Sequence, residues 1–328
     1  MTTVLVLPEA KFSDPDVTAK GERRARVALR ALRTLWINTG TLCNITCRNC
    51  YIESSPTNDR LAYISRAEAA AYLDEIARHG LPVTEIGFTG GEPFLNPDML
   101  GMLEDALTRG FAALVLTNAM QPMLRPRIQD GLLALREAFG SRLTLRVSLD
   151  HYSKALHEDE RGPDTFDKTL EGIDWLSAHG FSVALAGRTC WGETEANARD
   201  GYAALVADRG WPIDAHDPGS LVLFPEMDER ADVPEITESC WGILGKAPED
   251  VMCASKPHGG EAARGRCACG AAMYPVALRS RLRDGCDLGG RGKRGRRHVR
   301  PRGREALPSA LRQILCARRG HLLGLSAT

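Results

Sequence analysis

Between residues 34 and 224, six short apolar runs alternate with five segments of helical periodicity, and this alternation limits the fold more than any other feature. Strands that alternate with helices of about 10–15 residues are typical of βα units, whose strands lie parallel in one sheet. Six units are too few for the closed barrel of eight strands. Because crossovers between parallel strands are right-handed, we predict the α/β class and a partial (β/α)6 TIM-like barrel with parallel strands.

The predicted elements follow from this alternation and from signals at their ends. Ser65 and Glu68 form a capping box at the start of the first helix, and Gly80 ends it. The strands are predicted at residues 34–38, 84–88, 112–116, 143–149, 181–186 and 221–224. The helices are predicted at residues 65–79, 97–109, 125–139, 165–179 and 193–209. In such sheets the chemistry lies at the C-terminal ends of the strands.

Three cysteines follow the first predicted strand with the spacing C-x3-C-x2-C: Cys43, Cys47 and Cys50. Iron–sulfur clusters are held by cysteine thiolates at short, fixed spacings. Three thiolates at this spacing can bind three irons of a cubane cluster and leave the fourth iron open to a small molecule. A structural zinc ion is the alternative, but it needs a fourth ligand, and no second C-x2-C or His pair follows at zinc spacing.

The second predicted strand ends in Gly90-Gly91-Glu92-Pro93. Glycine lets the backbone approach a ligand closely, and the Glu92 carboxylate can accept a charge-assisted hydrogen bond from an ammonium group. An ordinary β-turn with a surface glutamate is the alternative.

Together, the cysteine run and Gly-Gly-Glu-Pro at this distance resemble the radical SAM superfamily, over about residues 35–225. The resemblance implies a [4Fe–4S] cluster on the three cysteines, with S-adenosylmethionine bound at the open iron and by Gly90, Gly91 and Glu92. It also implies one-electron cleavage of this cofactor to methionine and a 5′-deoxyadenosyl radical, which abstracts hydrogen from a substrate. Peptide and small-metabolite substrates both stay open. A low-potential electron donor of the flavodoxin or ferredoxin type is the expected partner.

Polar residues after the later strands take roles from the same resemblance. Asn118 would contact the ribose or carboxylate of the cofactor, Ser148 would lie near the ribose, and Arg188 would pair with the methionine carboxylate. Asp150 and His151 would then face the substrate, so they are the candidate catalytic residues. The alternatives are a turn or cap role for Asn118, a surface position for His151 and a solvated guanidinium for Arg188.

One residue departs from the family pattern. Many relatives carry an aromatic residue immediately before the third cysteine, near the adenine. Asn49 occupies that position here, and Tyr51 follows the cysteine instead. The departure leaves cluster binding unaffected but leaves the adenine contact open.

Cys240 and Cys253 follow the predicted barrel. Many relatives have a cysteine-rich C-terminal extension of the SPASM or twitch type, so these two are candidate ligands of a second, auxiliary Fe–S cluster. Two buried free thiols are the alternative. We therefore divide the chain into an extension at residues 1–34, a core at 35–225 and the start of an auxiliary region at 226–255, followed by a tail.

The tail at residues 256–328 differs in charge from the rest of the chain. It carries 17 Lys or Arg against 4 Asp or Glu, whereas residues 1–255 carry 25 against 38. The tail is rich in glycine and has no periodic apolar face, which predicts low order. A basic arm that neutralises phosphates is the alternative, but it lacks interleaved aromatic residues for base stacking.

Back-translation offers a reason for this composition. For three stretches of the tail, synonymous codons can be chosen so that reading them one nucleotide later gives ordinary protein sequence. In that shifted frame, residues 310–324 give a cysteine-rich segment. We therefore interpret the tail as out of frame and the auxiliary-cluster region as truncated or scrambled.

The ten cysteines and the absence of a run of 18 apolar residues indicate the cellular compartment that is expected for the chain. They indicate a reduced, metal-binding protein and no membrane span, so a cytoplasmic location is expected and nucleic acid is not expected as a partner. A non-catalytic Fe–S electron carrier is the second functional hypothesis. A zinc or nucleic-acid-binding module that uses the basic tail is the third.

Overall fold

The structure is a computed structural model that describes residues 11–28, 31–50, 52–224 and 234–248. The strands are β1 (Thr34–Asn38), β2 (Glu85–Thr89), β3 (Ala112–Thr117), β4 (Leu143–Ser148), β5 (Ser182–Arg188) and β6 (Leu221–Phe224). The helices are α1 (Arg66–Arg78), α2 (Met99–Thr108), α3 (Pro126–Phe139), α4 (Lys154–Arg161), α5 (Thr165–Ala178), α6 (Glu195–Arg209) and α7 (Cys240–Leu244). Cys253 and the tail at 256–328 lie outside the described residues.

The six strands form one sheet in the order β1-β2-β3-β4-β5-β6, and all five pairings are parallel. Each strand lies beside the next one along the chain. Within the described residues, β1 and β6 have one neighbour each, so the sheet is open. The predicted α/β class and partial barrel with parallel strands are confirmed. Because the strands run the same way, all their C-terminal ends meet at one edge.

Apolar side chains hold the helices on the sheet. Leu103 of α2, Leu132 of α3 and Ile173 of α5 are fully buried in one core with Val115 of β3 and Leu145 of β4. Full burial of one such side chain stabilises the fold by roughly 1.5–3 kcal/mol. This packing explains why periodicity predicted the main elements well. Their ends differ from the predicted ends by at most two residues.

Helix α4, at Lys154–Arg161, was not predicted from the sequence. Its eight residues are mostly charged, and its buried positions are His157 and Glu160, so it has no apolar stripe. Burial lowers the pKa of His157 to about 3, and its Nδ1 accepts a hydrogen bond from Asp150 N at 3.2 Å. The helix is therefore held by polar contacts, which hydrophobic periodicity does not detect.

The described part of the N-terminal extension contacts the segment after the barrel. Arg24 forms an antiparallel bridge with Thr237, and its guanidinium pairs with the Glu235 carboxylate. That carboxylate also accepts hydrogen bonds from Phe12 N at 2.9 Å and Ala19 N at 2.7 Å. One buried carboxylate thus joins residues on both sides of the barrel sequence. Among the helices that the structure describes, none has the length and apolar character that a membrane crossing needs.

Gly172, in the middle of α5, packs directly on the loop that follows β3. A Cβ atom at Gly172 would lie 1.8 Å from the backbone oxygen of Ala119. Three residues earlier on the helix, Thr169 Oγ1 donates to the backbone oxygen of Asn118 at 3.3 Å. The helix therefore sets the position of the β3 loop through backbone contacts.

We expect Gly172→Ala to lower the free energy of unfolding by about 1–3 kcal/mol, because backbone in a packed loop cannot turn away from an added methyl group. Gly131→Ala in α3 is the control, because a Cβ there would meet only the Leu100 side chain. Alanine also favours the helix over glycine by roughly 1 kcal/mol. Urea unfolding measures both variants, and equal stabilities would contradict this account.

Candidate metal centre and cofactor site

The cysteine loop after β1 and the Gly-Gly-Glu segment after β2 are joined through their backbones. Gly91 N donates to Gly40 O at 2.9 Å, and Glu92 N donates to Leu42 O at 3.0 Å. A Cβ atom at Gly91 would lie 2.1 Å from Leu42 O, and Gly90 has a φ of +150°. Gly91 is therefore required for the approach of two segments of this chain, whereas the sequence predicted an approach to a ligand.

Glu92 joins the ends of β2 and β3. Its carboxylate accepts hydrogen bonds from Phe94 N at 3.1 Å, Thr117 Oγ1 at 2.9 Å and Asn118 N at 2.9 Å. Glu92 is 1% exposed, so the alternative of a surface glutamate in a turn is wrong. Burial raises its pKa, although the three donors oppose that effect. A carboxylate has about four acceptor positions, and three of those of Glu92 are used by groups of this chain.

Asn118 contacts the cysteine loop from the end of β3. Its Nδ2 donates to Asn44 Oδ1 at 2.8 Å and lies 3.9 Å from Cys43 Sγ. Its Oδ1 accepts from Met120 N at 3.1 Å. The side chain thus closes a turn, which was the alternative considered for it, and also supports the loop. Ser148 is half-buried at the end of β4, beside Ala186 of β5.

The three cysteines line the loop at this edge of the sheet. Cys43 is buried, while Cys47 and Cys50 are half-buried. Burial raises the pKa of the Cys43 thiol to about 12 and also raises the pKa of Cys47. Buried thiolates need a positive charge nearby, which a bound metal provides.

The donor set tests which metal group fits. Thiolates are the ligands that Fe–S clusters and other soft metals prefer. In the described stretches, no three His, Cys, Asp or Glu side chains are placed to hold a single metal ion. The residue types of the triplet are therefore those that an Fe–S cluster prefers.

Asp150 neutralises two arginines beneath the cysteine loop. Arg161 binds its carboxylate through two nitrogens at 2.7 and 3.1 Å, and Arg188 Nε lies 3.5 Å away. Burial tends to raise the pKa of Asp150, but Arg161 and Arg188 outweigh it and lower that pKa. A carboxylate held this way is better suited to positioning the arginines than to accepting a proton. Arg188 is 11% exposed, so the solvated alternative is wrong.

The last turn of α4 holds the residues before the third cysteine. Arg48 N donates to Glu160 O at 2.8 Å. The Glu160 carboxylate accepts from Asn49 N and Asn49 Nδ2, both at 2.9 Å. Arg161, on the same turn, carries a positive charge that favours the thiolate forms of Cys43 and Cys47. It therefore offsets part of the rise in both pKa values that burial causes.

Sequence reasoning missed Glu160 and Arg161. Ser153 and Gly162 are residues that typically begin and end a helix, and they flank the charged segment of α4. They are the signal that could have predicted this helix.

His151 lies in a second group of polar side chains at the same edge. Its Nε2 is 2.8 Å from Glu193 Oε1, and its Nδ1 accepts from Ser153 N at 2.9 Å. Tyr152 Oη donates to Glu193 Oε2 at 3.1 Å. His151 is 3% exposed, so the surface alternative is wrong. Because Nδ1 accepts a backbone hydrogen bond, the neutral ring carries its proton on Nε2, toward Glu193.

Cys240 lies in α7, half-buried, and its Sγ accepts a hydrogen bond from Thr237 N at 3.4 Å. Cys253, the other candidate auxiliary ligand, lies outside the described residues. The auxiliary cluster therefore stays a prediction.

The fold and the thiol triplet define an α/β protein with a partial barrel of parallel strands and a candidate iron–sulfur site. The sequence profile of the Radical SAM superfamily matches residues 37–196, so the chain carries a radical SAM domain, as its motifs predicted. The subtilosin biosynthesis protein AlbA of Bacillus subtilis is 30% identical over 145 residues, which are 44% of this chain and 30% of AlbA. An AdoMet-dependent heme synthase of Oleidesulfovibrio alaskensis is 30% identical over 144 residues, 44% of this chain and 34% of that enzyme.

Two further known proteins are similar to parts of this chain. Mycofactocin maturase MftC of Mycobacterium tuberculosis is 26% identical over 140 residues, 43% of this chain and 33% of MftC. The crystal structure of Streptococcus suis SuiB bound to S-adenosylmethionine aligns at 14% identity and a TM-score of 0.48, over 64% of this chain and 44% of SuiB. These relatives are enzymes. The chain spans about a third of the length of the curated relatives it matches.

We expect Asp150→Asn to lower the free energy of unfolding by about 3–5 kcal/mol at pH 7, because Arg161 and Arg188 would lose a buried counter-charge. The folded-state pKa of Asp150 is depressed, so its contribution is present above about pH 4, the usual aspartate value. That contribution is lost as the pH falls through the folded pKa. The difference between variant and wild type should therefore shrink in acid.

Asp167→Asn is the control, because Asp167 is exposed and pairs with Lys154 at the surface. Exposed pairs contribute roughly 0–1 kcal/mol. Urea unfolding between pH 7 and pH 3 tests both variants. A pH-independent loss in Asp150→Asn would show that its charge is not the cause.

Proposed function

We propose that this chain is a radical SAM enzyme that holds a [4Fe–4S] cluster on Cys43, Cys47 and Cys50 and reductively cleaves S-adenosylmethionine. The cluster, when bound, supplies the electron that breaks the sulfonium bond. The observation that carries the proposal is the thiol triplet on a loop docked against Gly91 and Glu92 at the C-terminal edge of a parallel sheet. Chemistry is expected at this edge.

The chain's own residues would bind and orient the cofactor. Glu92 keeps about one acceptor position for an ammonium group, and its other three bonds hold it rigid. Gly90 and Gly91 pack closely against the cysteine loop and remain proposed contacts of the cofactor. Asn118 remains a proposed contact for the ribose or carboxylate, and Ser148 for the ribose. Arg188 would bind the methionine carboxylate of the cofactor while it keeps its contact with Asp150.

His151 is the favoured candidate on the substrate side. Its proton lies between Nε2 and Glu193, an arrangement that suits transfer of a proton to or from a bound substrate. Asp150, the other candidate, is occupied by Arg161 and Arg188. We propose His151 as the acid–base group and Asp150 as its structural neighbour.

The substrate and partners are proposed from chemistry and from the relatives. AlbA and MftC are named for bacteriocin biosynthesis and mycofactocin maturation, and other relatives are named as heme synthases. We propose a peptide or small-metabolite substrate and a flavodoxin- or ferredoxin-type electron donor in the cytoplasm. Cys240 would be a ligand of a second, auxiliary Fe–S cluster.

The experiment is anaerobic reconstitution of the full chain with iron and sulfide, followed by dithionite and S-adenosylmethionine. We expect equimolar 5′-deoxyadenosine and methionine. Cys43→Ala, Cys47→Ala and Cys50→Ala should each abolish the products. Cys190→Ala should retain them, because Cys190 follows β5 and lies outside the loop. A wild-type chain that holds the cluster but yields no 5′-deoxyadenosine would favour an electron carrier and contradict the proposal.

A further inference from the structure

Asn49, immediately before the third cysteine, makes polar contacts with distant parts of the chain. Its backbone N and its side-chain Nδ2 donate to the two oxygens of Glu160, each at 2.9 Å. Its backbone O accepts from Arg188 Nη2 at 3.3 Å. All three contacts join the cysteine loop to residues more than 100 positions away.

Contacts of both its side chain and its backbone hold Glu160 in place. Glu160 is 3% exposed and lies in the last turn of α4. Arg188 Nη2 lies 3.6 Å from its Oε1, so its charge is balanced within the network. Its backbone oxygen accepts from Arg48 N at 2.8 Å. The carboxylate therefore presents two acceptors at a set spacing to Asn49.

A side-chain amide is the group this spacing requires. The backbone N of residue 49 donates to one carboxylate oxygen of Glu160. The side-chain Nδ2 of the same residue donates to the other carboxylate oxygen. A phenylalanine side chain at this position has no donor, so this oxygen of Glu160 would lose its side-chain partner, which is costly for a buried acceptor. Asn49 and Glu160 are thus matched to each other.

A second contact nearby provides a comparison. Arg48 binds Asp159 through two nitrogens at 2.6 and 2.8 Å, but the Arg48 side chain is 61% exposed. Exposed ion pairs contribute little. The same helix turn therefore makes one partly buried and one exposed contact with the same loop, and the exposed contact serves as the comparison.

We propose that Asn49 and Glu160 are a pair of positioning residues that fixes the backbone next to Cys50, so that its thiol is in place before the cluster assembles. The inference rests on the cluster of the proposed function. Cys50 Sγ also accepts from Ser54 N at 3.3 Å, which leaves the preceding side of the loop to this pair. Outer partners that orient a metal ligand slow its release from the metal.

The experiment compares four variants of the anaerobically reconstituted full chain. Asn49→Asp places two carboxylates against each other. Glu160→Gln keeps both hydrogen bonds between the two residues if the Asn49 side-chain amide rotates by half a turn. The double variant N49D/E160Q also allows both hydrogen bonds, with the negative charge on residue 49 instead of residue 160. Asp159→Asn is the control on the exposed pair. The measurements are the rate of iron loss to a ferrous chelator and the EPR spectrum of the reduced cluster.

We expect Asn49→Asp to lose iron at least about tenfold faster, the usual scale for loss of an outer partner of a metal ligand, with an altered EPR line shape. Both effects should be reversed in N49D/E160Q, which keeps one negative charge in the pair, while Asp159→Asn on the exposed pair stays within about twofold of wild type. Glu160→Gln removes a buried counter-charge of Arg188, so it should lose iron faster than the double variant. Rescue by a second substitution excludes a general loss of stability.

Two results overturn the inference alone: iron loss from Asn49→Asp at the wild-type rate, or no recovery in the double variant. A wild-type chain that takes up no cluster would overturn the proposed function, and this inference with it.

Discussion

A balanced set of buried charges holds the candidate site together. Asp150 and Glu160 face Arg161 and Arg188 across the ends of β4, β5 and α4, and the Asp150–Arg161 contact uses two nitrogens at 2.7 and 3.1 Å. Isolated buried charges are costly, whereas paired and hydrogen-bonded charges are tolerated and hold a defined geometry. Since two carboxylates meet two guanidinium groups, the set can be buried. The cysteine loop is attached to it through Asn49.

The other side of the loop is held by backbone rather than charge. Gly91 approaches Leu42 O so closely that no larger residue fits, and the three hydrogen bonds of Glu92 join β2 to β3. These contacts give the Gly-Gly-Glu segment a structural role in addition to any contact with a ligand. The thiol triplet therefore lies between a rigid backbone contact and a polar network. Preorganised surroundings of this kind are what a metal site requires.

Sequence patterns predicted the sheet well, but not the side chains that surround the three cysteines. Ser65 and Glu68 signalled the start of α1, and the capping box is present. Arg188 was expected to pair with a ligand carboxylate and instead contacts Asp150 and Glu160. Helix α4 was missed because its buried face is polar. His151 was expected to face the substrate or solvent, and its ring is buried against Glu193.

The sequence by itself determined the local features: the alternation of apolar runs and helices, and the short spacing of Cys43, Cys47 and Cys50. Both depend on neighbouring residues, so periodicity and spacing are enough to read them. Only the tertiary structure decided which side chains meet across the edge of the sheet, such as Asn49 with Glu160, 111 positions away. Such pairs depend on how parallel strands bring their C-terminal ends together, and no local pattern records that distance.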